Sequence, residues 1–64
     1  MNDYYIISHT TQDGDVIYYN SKRHIFVTVY DTATWYDNKV DALLVCRKEL
    51  SSYTNIKIVK VGVN

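Results

Sequence analysis

The chain has 64 residues, with seven basic and seven acidic side chains, seven tyrosines, two glycines, one cysteine and no proline. This length makes residues 1–64 a single domain with a small core, and the lone Cys46 excludes an internal disulfide. Cancelled charge argues against a strong duplex nucleic-acid binder and equally against an acidic DNA mimic.

Asp3–Thr11 (DYYIISHTT) is rich in strand formers and too short for a helix of this content. Asp13-Gly14 is a hairpin signal, read as a two-residue loop because type I′ turns need positive φ at both central residues. Asp15–Asn20 is the return strand. Asn20–Arg23 makes a second turn, with Ser21-Lys22 as its loop, and His24–Asp31 (HIFVTVYD) is the most β-branched strand. Helical periodicity starts after Trp35-Tyr36. Asn38 can cap, Asp41 completes an approximate capping box, and Lys39–Leu50 holds good helix formers. Val40, Leu43, Leu44 and Leu50 share one face, with Arg47 inside it and packing its stem. Ile56–Val63 is a last strand. The predicted class is α+β: a small antiparallel sheet in β-β-β-α-β order with one helix on one face.

Two even loops set a register. They place Tyr5, Ile7, His9, Val16, Tyr18, Ile25, Val27 and Val29 beneath the helix, beside Leu43 and Leu44. The opposite, uncovered face then carries Tyr4, Ile6, Ile17, Tyr19, His24, Phe26, Thr28 and Tyr30. Exposed apolar clusters of this kind mark interaction sites. Tyr36 and Tyr53 border the helix as packing residues. The run Lys22-Arg23-His24 adjoins the open face and can rim an interface.

Little else has the composition of a reactive site. His9 and His24 fall on opposite predicted faces, so no shared acid–base or metal role is expected. Cys46 reads as a buried, inert thiol. Asp13 and Asp15 shape a turn, with too few oxygen ligands for calcium. No phosphate loop, nucleophile elbow or dinucleotide fingerprint is present. The expectation is a non-enzyme with no metal and no cofactor. The first residues lack the pattern of a signal peptide and no apolar run approaches a membrane span, so a cytoplasmic chain without membrane contact is expected.

The passage ATWYDNKVDALLV places an aromatic at Tyr36, a cap at Asn38 and Ala42-Leu43 in the first turns. With the short length and the Ile, Asn, Lys and Tyr usage of an AT-rich gene, the chain resembles small sheet-plus-one-helix accessory proteins of tailed bacteriophages. That resemblance implies a protein that binds and modulates a host polymerase, nuclease or defence effector, and it assigns no residue a role. The expected binding surface is the open face, with Tyr4, Tyr19, Phe26 and Tyr30 as anchors and Lys22 and Arg23 at the rim. Two alternatives stand behind it. One is a single-stranded nucleic-acid binder stacking bases on the rings, against which the zero net charge counts. The other is a homodimer that adds buried area to a marginal core. The last strand could also recruit a partner by strand addition.

Overall fold

The computed structural model describes the backbone of residues 2–63 and the side chains of 3–62. It is an α+β fold in the expected order: β1 (Asn2–Thr10), β2 (Val16–Asn20), β3 (Ile25–Val27), a 3-10 turn (Tyr30–Thr32), α1 (Lys39–Glu49) and β4 (Ile56–Val63). The strands form one antiparallel sheet in the order β3-β2-β1-β4, and the helix lies over β1 and β4.

The first hairpin departs from the expected register by one residue. Pairing of Ser8 with Tyr18 and Thr10 with Val16 leaves Gln12, Asp13 and Gly14 as a three-residue loop. Thr11 N–H donates to the Asp15 carbonyl at 2.8 Å, and Gly14 N–H donates back to the Thr11 carbonyl at 3.0 Å. Gly14 alone takes the left-handed region, at φ +90°. This is a type I turn followed by a left-handed glycine, which needs one positive φ where a type I′ turn needs two. The Thr11 hydroxyl tightens it by accepting from Asp15 N–H at 3.1 Å.

The second loop is longer than expected but still even. Asn20 pairs with Ile25, so Ser21 to His24 form the connection. Asn20 Oδ1 accepts from Lys22 N–H (3.1 Å) and Arg23 N–H (3.0 Å), an Asx turn, and His24 closes it at φ +57°. β2 and β3 therefore keep their expected relation to each other, and the odd first loop turns both over relative to β1.

The resulting core corrects the expected one. Tyr5, Ile7, His9, Ile17, Tyr19 and Phe26 share the face beneath the helix, with Ile56 and Ile58 of β4. Val16, Tyr18, Ile25 and Val27, expected there, lie on the opposite face with Tyr4 and Ile6. Val29 is not in a strand: β3 stops at Val27, and the chain bends into the 3-10 turn.

The helix starts where the sequence places it. Asn38 Oδ1 accepts from Asp41 N–H at 2.9 Å, and Asn38 Nδ2 donates to Asp41 Oδ2 at 3.0 Å. Its phase differs from expectation. Ala42 is fully buried, Val45 and Cys46 pack beside it, and Leu50 follows in the core. Val40, Leu43, Leu44 and Arg47, the expected inner face, are exposed. The rings of Tyr5, Tyr19, Phe26 and Tyr36 fill the space above the sheet, so the helix meets them with small side chains at 42 and 46.

Candidate protein-interaction face

Among the described residues no helix or second sheet packs on the other face of the sheet, which only the 3-10 turn and Trp35 flank, and its composition follows from the strand alternation. Tyr4, Ile6 and Ser8 of β1, Val16 and Tyr18 of β2, Ile25 and Val27 of β3, and Lys57, Val59 and Val61 of β4 all fall on it. Ile6 and Ser8 are buried on this face, at the floor of a hollow that Tyr18 of β2 and Tyr30 of the 3-10 turn also line. The Ser8 hydroxyl donates to the Lys57 carbonyl at 3.4 Å. Val16, Ile25 and Val59 remain exposed.

The segment after β3 adds the rest of the surface. Tyr36 joins β1 as an isolated bridge: Tyr5 N–H donates to the Tyr36 carbonyl at 2.9 Å, and Tyr36 N–H donates to that of Tyr5 at 2.8 Å. Tyr36 thereby turns inward beside Tyr5, and its neighbour Trp35 packs on Tyr4, with ring centroids 5.6 Å apart. Trp35 in turn stacks on Tyr30 (6.1 Å), and Tyr30 meets Tyr18 edge-on (6.2 Å). The indole N–H donates to the Tyr30 carbonyl at 3.0 Å, which fixes the 3-10 turn beneath it. A continuous row Tyr4–Trp35–Tyr30–Tyr18 results, bordering a shallow hollow of about 390 Å³ lined by Ile6, Ser8, Val16, Tyr18, Tyr30 and Val59 among others.

Of the four expected anchors, the structure brings two together on this face, Tyr4 and Tyr30. The other two, Tyr19 and Phe26, belong to the core. Tyr19 is only 4% exposed, and Phe26 packs against Tyr19, His9 and Tyr53. The one-residue change in the first loop is the reason. Lys22 and Arg23 are exposed in the loop between β2 and β3. Trp35 and Tyr18 are the surface rings that sequence reasoning missed. Tyr18 was hidden by the register, and Trp35 lies outside any strand whose alternation could place it.

The helix side holds a polar clamp. The Tyr19 hydroxyl donates to Glu49 Oε1 at 2.7 Å, and His24 Nδ1 lies 3.0 Å from the same oxygen. Burial pushes the Tyr19 hydroxyl up to about 12, with the Glu49 carboxylate adding to the effect. The same hydrogen bond holds Glu49 below its usual range, against an opposing desolvation and with the His24 contact adding to it. These groups tie the β2–β3 loop to the end of α1. His9, expected on the opposite face from His24, is on the helix side too. It engages different groups, sitting between Phe26 and Tyr53 at 5.5 and 5.4 Å. Burial raises the Cys46 thiol, which suits a packing role. Among the described residues no group of three or more His, Cys, Asp or Glu could hold a metal ion, and no helix is long and apolar enough to cross a membrane.

A scan against protein-family models and searches of curated proteins and solved structures return no match.

Proposed function

We propose that this chain is a non-enzymatic protein-binding module that docks a partner on the uncovered sheet face. The observation that carries this reading is the row Tyr4–Trp35–Tyr30–Tyr18 beside exposed Val16, Ile25 and Val59. Aromatic side chains held by one another lose little conformational freedom on binding and contribute large contact area, the properties of interface anchors. Exposed aliphatic neighbours supply the apolar surface around them. Lys22 and Arg23 serve as a charged rim. The phage-like residue usage makes a bacterial host protein the class of partner to seek, with inhibition or redirection of that protein as the outcome of binding.

The test is capture from a bacterial lysate by the wild-type chain, compared with Tyr30→Ala and Val16→Glu. Both positions are exposed, so both variants should keep the wild-type circular dichroism while losing the captured protein. Tyr19→Ala and Phe26→Ala are unsuitable, because they open the core. Retention of every captured protein by both folded variants would refute the reading. So would binding of a labelled single-stranded oligonucleotide that weakens steeply with salt and is abolished by Tyr30→Ala, since that is the behaviour of a stacking platform.

A further inference from the structure

β4 is an edge strand of eight residues, paired with β1 along its whole length. Its other side has no partner strand among the described residues. The hydrogen-bond phase of that free side can be worked out. Tyr5 directs both its N–H and its carbonyl to Tyr36, so the pair Tyr5–Lys60 is not a hydrogen-bonded one. Hence Lys57, Val59 and Val61 bond to Ser8, Ile6 and Tyr4 across the ladder. The backbone groups of Ile56, Ile58, Lys60 and Gly62 point outward. A long edge with free backbone groups is a template for pairing, which Lys57 and Lys60 restrict to registers that keep them apart.

The helix adds a second, independent feature on the same side. Leu43 and Cys46 of α1 form a groove of about 480 Å³ with Ile56 and Ile58 of β4. Next to it, Val40 is 62% exposed, Leu43 39% and Leu44 56%. Glu49, reaching Tyr19 of β2, marks the opposite flank of the helix. The exposed apolar stripe therefore overhangs the free edge.

We infer that the occupant of this edge is a second copy of the chain, paired β4 to β4 about a two-fold axis through Val59. A two-fold perpendicular to the sheet keeps each residue on its own face, so opposed residues must share parity. Hydrogen-bonded pairs must join outward-pointing groups. Centring on Val59 meets both conditions, pairing Ile58 with Lys60 and Ile56 with Gly62. It also keeps Lys57 and Lys60 from facing their own copies; like charges directly opposite destabilise a sheet. The two sheets then run on as one, with both helices on the same side. Each helix lies over β1 and β4, so strand spacing puts the two axes about 10 Å apart, a normal helix-packing distance. Leu43 and Val40 of the two copies meet there.

The area suits a weak, reversible dimer. Centred on Val59, the overlap of the two strands runs from Ile56 to Gly62, about 23 Å at ~3.3 Å per residue. A strip this long and about 20 Å deep, sheet layer plus helix layer, buries about 900 Å² over both copies, the size of a transient association. Lys39, Arg47 and Lys57 add positive charge on this side, so association should tighten with salt as repulsion is screened.

The test is sedimentation over a micromolar concentration series with cross-linking in a Cys46→Ala background. Val59 is opposite its own copy at a non-hydrogen-bonded site, where Cα atoms lie about 4.5 Å apart, within the short end of the range a disulfide spans. Val59→Cys should give a covalent dimer under mild oxidation, whereas Val16→Cys, also on the open face but far from the edge, should not. Leu43→Glu, at an exposed position, should keep the fold and weaken self-association by about tenfold or more, as burying a charge would. A wild-type monomer at high micromolar concentration overturns the inference. So does preferential cross-linking at Val16, which would indicate face-to-face pairing. This proposal goes beyond the open-face reading and stands whether or not that face has a partner.

Discussion

Raising the pH should destabilise this protein through Tyr19. In the folded chain the Tyr19 hydroxyl is buried and donates to Glu49 at 2.7 Å, and its pKa is pushed from 10.0 to about 12. The unfolded chain releases this proton at the ordinary value. Below pH 10 both states hold the proton and stability is unaffected. Above it the unfolded state loses the proton first, binds fewer protons than the folded state, and gains stability relative to it. The loss is at most about 1.4 kcal/mol by pH 11 and about 2.3 kcal/mol by pH 12, reduced by solvent screening at the part-buried hydroxyl, which by then is itself titrating. For a domain this small that is a large share of a total of about 3–5 kcal/mol. The assay is urea unfolding followed by far-ultraviolet circular dichroism at steps from about pH 8 to pH 11, for wild type and Tyr19→Phe. At the low end Tyr19→Phe should be less stable by about 1.5–3 kcal/mol, the worth of a hydrogen bond to a charged group. Its stability should then fall less steeply with pH, and the two curves should converge. Tyr36, also raised by burial, acts in the same direction in both proteins, so the difference between the two curves reports Tyr19 with its coupling to Tyr36 and Tyr53. Parallel curves across this range would refute the reasoning.

The corrected helix phase makes a paired prediction: Ala42→Leu, at a fully buried site facing Ile7 and Tyr19, should cost about 1–3 kcal/mol by overpacking. Leu44→Ala, at an exposed one, should stay within about 0.5 kcal/mol. Urea midpoints in the reverse order would restore the helix face expected from sequence. Gly14→Ala tests the first loop. A Cβ there meets nothing within 4 Å, so the cost is conformational alone, about 1–2 kcal/mol for an L-residue held at positive φ. An unchanged midpoint would mean the loop closes some other way.

The elements were legible in the sequence, and the faces were not. Strand-forming runs, the Asp13-Gly14 turn and the Asn38 cap each act locally, so local reasoning finds them. Register depends on a count. Asp-Gly fits a type I′ loop of two residues, but its glycine also serves a three-residue loop whose only left-handed position is Gly14. The difference of one residue moved Tyr19 and Phe26 from the surface to the core and Tyr18 the other way. Helix phase failed for a different reason. From Val40 to Cys46 only Asp41 interrupts an apolar run, so periodicity alone does not choose a face. The choice was made by the bulk of the rings opposite, which only the correct register reveals. Of the expected interface, Tyr4 was found because the alternation of β1 does not depend on the first loop count, whereas Tyr30 was placed by the same count as Phe26 and reaches this face only because β3 ends at Val27 and the chain bends into the 3-10 turn. Trp35 was missed because its place is set by the Tyr5–Tyr36 bridge, a contact between segments far apart in sequence.

The pairing of Asn2 with Val63 and of His9 with Ile56 bears on how the chain comes to be folded at the ribosome. β1 is central in the sheet, yet one whole side of it waits for the last strand to be synthesised. Until β4 clears the exit tunnel, β1 has only β2 and Tyr36 beside it, and Ile7 lacks the neighbour Ile58 that completes its burial. Closure of the longest loop in the molecule therefore comes last, and its entropic cost falls on that step. During that interval the nascent chain displays an apolar strand with an empty side, the state most open to capture by a chaperone or by a neighbouring nascent copy.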